Sequence, residues 1–136
     1  MTERTAIAIL MLVGFSCFLI WPVAGPRPEE MSNDVLYRVL VRYDTTLNSF
    51  PSLHMALATY SACVGLAVTS GPLRRLLTVL LPLWVALIGY STLATKQHYL
   101  IDLPPGVLLG WLAQFFAWRP RRVKTRSPAF VSGRAA

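Results

Sequence analysis

Four stretches of this 136-residue chain, about 5–25, 52–71, 76–95 and 100–118, are almost continuously apolar, and each approaches or reaches the roughly 20 residues that a helix needs to cross a hydrocarbon layer. That spacing limits the fold more than any other feature. A backbone in lipid must satisfy its own hydrogen bonds, and helices of this length do so. The chain is 54% hydrophobic and only 14% charged, whereas a soluble domain carries about a quarter of its residues as charges. The expected fold is therefore all-α: a multipass transmembrane helix bundle of about four spans, occupying residues 1–118. Glu3 and the length of the first apolar run argue for a span there rather than a cleaved signal peptide.

The net charge of +7 is spread unevenly. Arg119, Arg121, Arg122, Lys124, Arg126 and Arg134 follow the last span, Arg74 and Arg75 fall in a connection at 71–75, and Arg4 precedes the first span. Basic flanks stay in the cytoplasm. All three agree on one topology in the cell (plasma or inner) membrane, with both termini inside and 119–136 a basic cytoplasmic tail expected to be disordered. The tail has no aromatic stacking pattern, so its charge points to anionic lipid and not to nucleic acid. Cys17 and Cys63 lie within apolar runs and read as small core residues. The spans carry no ionisable residue deep inside, which argues against a transporter.

Between the first two spans, Ser32-Asn33-Asp34 offers a helix cap. Val35, Leu36, Val39, Leu40 and Tyr43 then recur at helical spacing, so an amphipathic helix is expected at about 33–44, lying in the outer interface. Its role is open between a lid over the bundle and a path for a lipid substrate.

With this topology the chain's two histidines, His54 and His98, meet the same outer boundary. In "FPSLHMA", Pro51 suits the first position of a helix, placing Ser52, Leu53 and His54 in a first turn whose free N–H groups bind anions, phosphate especially. Alternatively, Ser52 is only a cap and His54 an interfacial anchor. In "KQHYLID", His98 and Asp102 are four apart, a spacing that sets them on one helical face, where a carboxylate fixes the tautomer of a ring and leaves its other nitrogen a better base or nucleophile. One imidazole to attack phosphorus, a second to protonate the leaving oxygen and cations around the equatorial oxygens would perform phosphoryl transfer. Arg27 is a candidate cation and Lys96 a weaker one. Two histidines and one free acid make a thin set for a metal.

These residues resemble the motifs of the type 2 phosphatidic acid phosphatase superfamily, the vanadium haloperoxidase-like acid phosphatases. Pro51-Ser52-Leu53-His54 is similar to its Pro-Ser-Gly-His motif, and Ser91-x6-His98-x3-Asp102 to its Ser-Arg-x5-His-x3-Asp motif, with Thr92 where arginine is usual. Arg27-Pro28 fits the end of its Lys-x6-Arg-Pro motif, with Ile20 at the lysine position. The form "FPSLH…QHYLID" looks like the inositol phosphotransferase branch, which includes inositol phosphorylceramide synthase. The resemblance implies a hydrolase or phosphotransferase acting on a lipid phosphate or diphosphate at the outer leaflet. His98 would be the nucleophile, oriented by Asp102, and His54 the acid. Ser52, Leu53, Arg27 and Lys96 would hold phosphate, without a metal or other cofactor. Family members usually have about six spans, so a chain of four is expected to be a truncated form, a fragment or a degenerate copy. The alternative is an inactive relative that serves as a lipid-binding or partner subunit.

Overall fold

The computed structural model describes residues 3–26, 34–43 and 47–117. Arg27, Ser32, Asn33 and the basic tail 119–136 lie outside the described residues, so the expectations placed on them are not addressed by the fold. The elements run α1 (Glu3–Ile20), α2 (Val35–Tyr43), α3 (Leu53–Val68), α4 (Gly71–Ala94), a single 3-10 turn (Leu100–Asp102) and α5 (Leu103–Ala117). An isolated bridge between Val23 and Asn48 is the one strand-like pairing among the described residues. The fold is thus an all-α membrane bundle.

Three stretches, Glu3–Ile20, Gly71–Ala94 and Leu100–Ala117, are long and apolar enough to cross a membrane, and little of each is buried inside the protein. Their outward residues, among them Leu12, Leu19, Leu83, Leu87 and Phe115, are more than half exposed and face lipid. The 52–71 run behaves differently. Its helix, α3, has 16 residues and rises about 24 Å, short of a hydrocarbon core of about 30 Å. It is also the most enclosed element, packing against α5, α4 and α1. Met55, Ala56, Ala58, Thr59, Tyr60 and Ala62 are all buried.

The turn between α3 and α4 is tighter than the 71–75 connection expected from the basic pair. Only Thr69 and Ser70 separate the helices, Gly71 adopts a left-handed φ of 65°, and Pro72 fits the first turn of α4, where its missing N–H costs nothing. Arg74 and Arg75 therefore stand in the first two turns of a 24-residue helix.

Small residues set how closely these helices approach. A side chain at Gly106 would run into the Ser52 carbonyl, and one at Gly110 into the Ala56 carbonyl, so α5 lies with its backbone against that of α3. The two glycines are four apart and share one face. In lipid, where the surrounding tails are as apolar as the helices, such backbone approach supplies van der Waals contact that burial alone does not. On the other side, Ala6 and Leu10 of α1 close a small core with Ala56 and Tyr60. The Tyr60 hydroxyl donates to the Glu3 carbonyl at 3.3 Å.

In α2, Asp34 caps the first turn, its Oδ1 accepting from the Leu36 amide at 2.8 Å. Val35, Leu36 and Tyr43 are largely exposed.

The backbone contact between α3 and α5 yields a direct test. Gly110→Ala should lower the thermal stability of the detergent-solubilised protein by an amount typical of overpacking, about 1–3 kcal/mol. Gly65→Ala, whose added methyl meets only the flexible end of Leu81 at 3.2 Å, should be neutral or mildly stabilising. Equal thermal midpoints for the two variants, followed by circular dichroism, would contradict the packing described.

Candidate active site

Four helix ends converge at one end of the bundle. They are the C-terminus of α1, the N-termini of α3 and α5, and the C-terminus of α4. The N-terminus of α3 is shaped by its own sequence. After a cis Phe50–Pro51 bond, Ser52 takes an extended N-cap conformation and its Oγ accepts from the Met55 amide at 3.4 Å. Helix α3 begins at Leu53, two residues later than the position expected for Pro51. Ser52 also donates its own amide to the Asp102 carbonyl at 3.1 Å, which ties the start of α3 to the turn before α5.

At the end of α4, Lys96 adopts a positive φ of 53°, uncommon for a residue with a side chain. Its amide donates to the Leu93 carbonyl, and the Gln97 amide to the Thr92 carbonyl, both at 3.0 Å. The chain reverses there, and His98 turns back under the bundle. The 3-10 turn then follows, with the Asp102 amide bonded to the Tyr99 carbonyl at 3.0 Å.

The two imidazoles meet. His54 Nδ1 lies 3.3 Å from His98 Nε2, and the ring centroids are 5.6 Å apart at an interplanar angle of 73°. His98 is buried at 5% exposure, whereas His54 is exposed at the rim. His98 Nδ1 donates to the Ser49 carbonyl at 2.8 Å. In a neutral ring that leaves the lone pair on Nε2, so the proton shared between the histidines sits on His54 Nδ1.

Asp102 is placed differently from the expectation of one helical face. His98 lies in the bend after α4 and Asp102 in the 3-10 turn, so the pair spans an irregular segment. Their closest approach, Nδ1 to Oδ2, is 3.8 Å, too long for a hydrogen bond. Asp102 Oδ2 instead accepts from the Ser49 hydroxyl at 2.6 Å and the Tyr99 amide at 2.8 Å. Its influence on His98 is that of a nearby charge. At 3.8 Å a carboxylate and an imidazolium attract by about 4 kcal/mol at an effective dielectric of about 20.

A cavity of about 170 Å³ opens beside the rings. His54, His98, Asn48 and Gln97 supply its polar wall, and Phe15, Phe18 and Leu53 its apolar wall. The expected phosphate-holding residues are divided by this arrangement. Leu53 and His54 occupy the first turn of α3, where a helix leaves amides without intrahelical acceptors. Ser52 is fully buried, its hydroxyl oxygen accepting from the Met55 amide and its amide donating to the Asp102 carbonyl, and it is not among the residues lining the cavity. Lys96 is exposed and outside the cavity wall, because the left-handed turn carries it away. Thr92, at the position of the resembled family's arginine, points into the bundle and donates to the Gly89 carbonyl at 2.9 Å.

Sequence reasoning missed three residues. Asn48 and Gln97 line the cavity, and Ser49 bonds to both His98 and Asp102. The only signal was position: each adjoins a matched motif, in "NSFPSLH" and "KQHYLID".

One buried and one exposed imidazole thus meet at the convergent ends of apolar helices. A model of the PAP2 superfamily matches residues 4–126, nearly the whole chain, and the chain belongs to that superfamily. Its members are phosphatases or phosphotransferases. No curated protein and no solved structure gives a significant match.

Ser52→Ala separates a cap from a phosphate ligand. Loss of the cap should cost about 1 kcal/mol of stability, while the Michaelis constant for a lipid phosphate should change less than about threefold, well under the factor of 10 that each 1.4 kcal/mol of lost binding gives. A large rise in that constant with unchanged thermal stability would return Ser52 to the ligand set.

Proposed function

We propose that the protein is an integral membrane lipid phosphatase or phosphotransferase working through a phosphohistidine at His98, with its site on the extracytoplasmic side. The observation that carries this reading is the 3.3 Å contact between His54 Nδ1 and His98 Nε2, made with His98 already anchored through its other nitrogen.

In the first step the Nε2 lone pair of His98 attacks phosphorus. The bond to the lipid oxygen breaks, that oxygen leaves with the electron pair, and His54 gives it a proton. His98 becomes a phosphoimidazolium whose positive charge faces Asp102. In the second step His54, now neutral, takes a proton from water or an alcohol as that oxygen attacks phosphorus. The N–P bond breaks, and its electrons return to Nε2. Water as acceptor gives a phosphatase and an alcohol gives a transferase.

The first-turn amides of α3 and the side chains of Asn48 and Gln97 are the groups around the cavity suited to phosphate oxygens. Arg27 is the cation proposed to complete the set. A phosphoryl group held in line between the attacking nitrogen and a protonated leaving oxygen needs the two imidazole nitrogens roughly 6–7 Å apart, since an attack distance of about 3–3.5 Å, a P–O bond of about 1.6 Å and an angled hydrogen bond of about 2.8 Å lie between them. Substrate entry therefore requires one ring to move. Exposed His54 is the ring free to swing, and His98 holds its place.

The outward orientation is supported by charge. Arg74 and Arg75 stand at the far end of the bundle from the histidines, since α3 carries the chain about 21 Å from His54 to Val68. Thr92 favours a second reading, a non-catalytic lipid-binding relative, because it provides no charge where the family carries arginine.

Purified protein in detergent should release inorganic phosphate from phosphatidic acid and be inhibited by orthovanadate. His98→Ala should lower turnover about a thousandfold or more. His54→Ala should lower it about a hundredfold or more on phosphatidic acid, and much less on an aryl phosphate whose leaving group departs as the anion. Wild-type turnover in His98→Ala would overturn the mechanism. Binding of phosphatidic acid without any turnover would favour the second reading.

A further inference from the structure

Ser49 touches every fixed part of the site. Its amide donates to the Val23 carbonyl at 3.2 Å, which pins it to the segment after α1. Its carbonyl accepts from His98 Nδ1 at 2.8 Å, and its hydroxyl donates to Asp102 Oδ2 at 2.6 Å. Gly25 presses against it from above: a side chain at Gly25 would lie 3.6 Å from the Ser49 Cβ and only 2.6 Å from the Gln97 carbonyl. At 2% exposure, Ser49 is out of reach of any substrate.

We propose that Ser49 is the positioning residue of the histidine site: its carbonyl selects the tautomer of His98, and its hydroxyl holds the Asp102 carboxylate away from the ring. The inference rests on the reading of His98 as nucleophile. The chemistry follows from the acceptor that Nδ1–H meets. A carboxylate in hydrogen-bond contact competes for that proton and raises the ring's basicity. A peptide carbonyl accepts the hydrogen bond but cannot take the proton. Nδ1 thus stays protonated through both steps, and Nε2 is the nitrogen that gains and loses the phosphoryl group. Phosphorylated on Nε2 and protonated on Nδ1, the ring leaves as neutral imidazole when the N–P bond breaks. Asp102, with both Ser49 Oγ–H and Tyr99 N–H on Oδ2, faces that cation as a fixed charge at 3.8 Å. Asp102 and His54 are titratable groups that face His98.

Ser49→Ala keeps the carbonyl and removes the hydroxyl, which frees Asp102 to swing onto Nδ1. Because the chain has two histidines, both rings can be followed directly by nitrogen-15 NMR of histidine-labelled protein in micelles. In the wild type, the His98 spectrum should be that of a ring protonated at Nδ1. In Ser49→Ala the Nδ1 proton resonance should move downfield, and the acid limb of the kcat/KM profile should move to higher pH by about half a unit or more, as a closer carboxylate favours the charged ring. At neutral pH kcat should fall several-fold, with about 10-fold as the upper expectation. Asp102→Asn should move the same limb to lower pH, since the ring loses its facing charge. Ser49→Thr, which retains the hydroxyl, should restore both readouts. If Ser49→Ala fails to accumulate, Ser49→Cys, with its weak S–H donor, should give the same shifts at smaller amplitude. Spectra and pH profiles unchanged in Ser49→Ala or Ser49→Cys would overturn the proposal. The NMR arm needs no turnover: the expected spectral shift in a protein that releases no phosphate would uphold the positioning of His98 and reject the phosphatase reading alone.

Discussion

The hydrogen bond from the Ser52 amide to the Asp102 carbonyl joins two helix starts that are fifty residues apart in the chain, and the geometry around the histidines depends on it. It forms because α5 can lie directly against α3. Gly106 and Gly110 leave room for the Ser52 and Ala56 carbonyls, and small alanines on α3 keep the contact flat. Bulk at either glycine would move α5, with it the 3-10 turn, and with that Asp102 and His98. The site therefore depends on the absence of two side chains as much as on the presence of its polar ones.

Irregular backbone at this end of the bundle is satisfied from within the protein. The segment 47–52 and most of the turn 95–102 lie outside the α-helices, so their peptide groups lack a regular helical ladder. The protein satisfies them itself. The Ser49 amide bonds to Val23, the Ser52 amide to Asp102, the Gln97 amide to Thr92 and the Asp102 amide to Tyr99. Each of these bonds also holds a polar side chain of the site in place. Anchoring is unequal as a result: His98 is buried and bonded through Nδ1, while His54 projects from the first turn of α3 toward solvent. For the phosphoryl transfer proposed above, one rigid and one movable ring is a workable division.

Much of this was legible beforehand. Charge-free runs of about 20 residues admit few structures in lipid, so the all-α bundle follows from composition and spacing. The two histidines, each beside a proline or an acid and bounding an apolar run, marked the candidate site, and the structure brings them together. Other parts were not legible, because they depend on contacts distant in sequence. Spacing of four between His98 and Asp102 suggested a helix face, yet the left-handed residue at Lys96 and the 3-10 turn break the periodicity on which that reading depends. Ser52 looked equally suited to a cap or a phosphate ligand, and its burial against the Asp102 turn was in neither reading. Ser49, which carries no motif signal, became visible only through its partners.

What the sequence by itself determined is the kind of environment: apolar runs whose lengths match a bilayer, and two imidazoles at the ends of those runs. Hydrophobicity and length are properties of a segment, readable without knowing its neighbours. What only the tertiary structure decided is which atom faces which: Nδ1 of His98 against a peptide carbonyl, Asp102 held a step away by a serine hydroxyl, and Nε2 turned to its partner ring. Hydrogen bonds are directional and short in reach, so their pattern is set by how closely the helices pack, and that is a property of no segment alone.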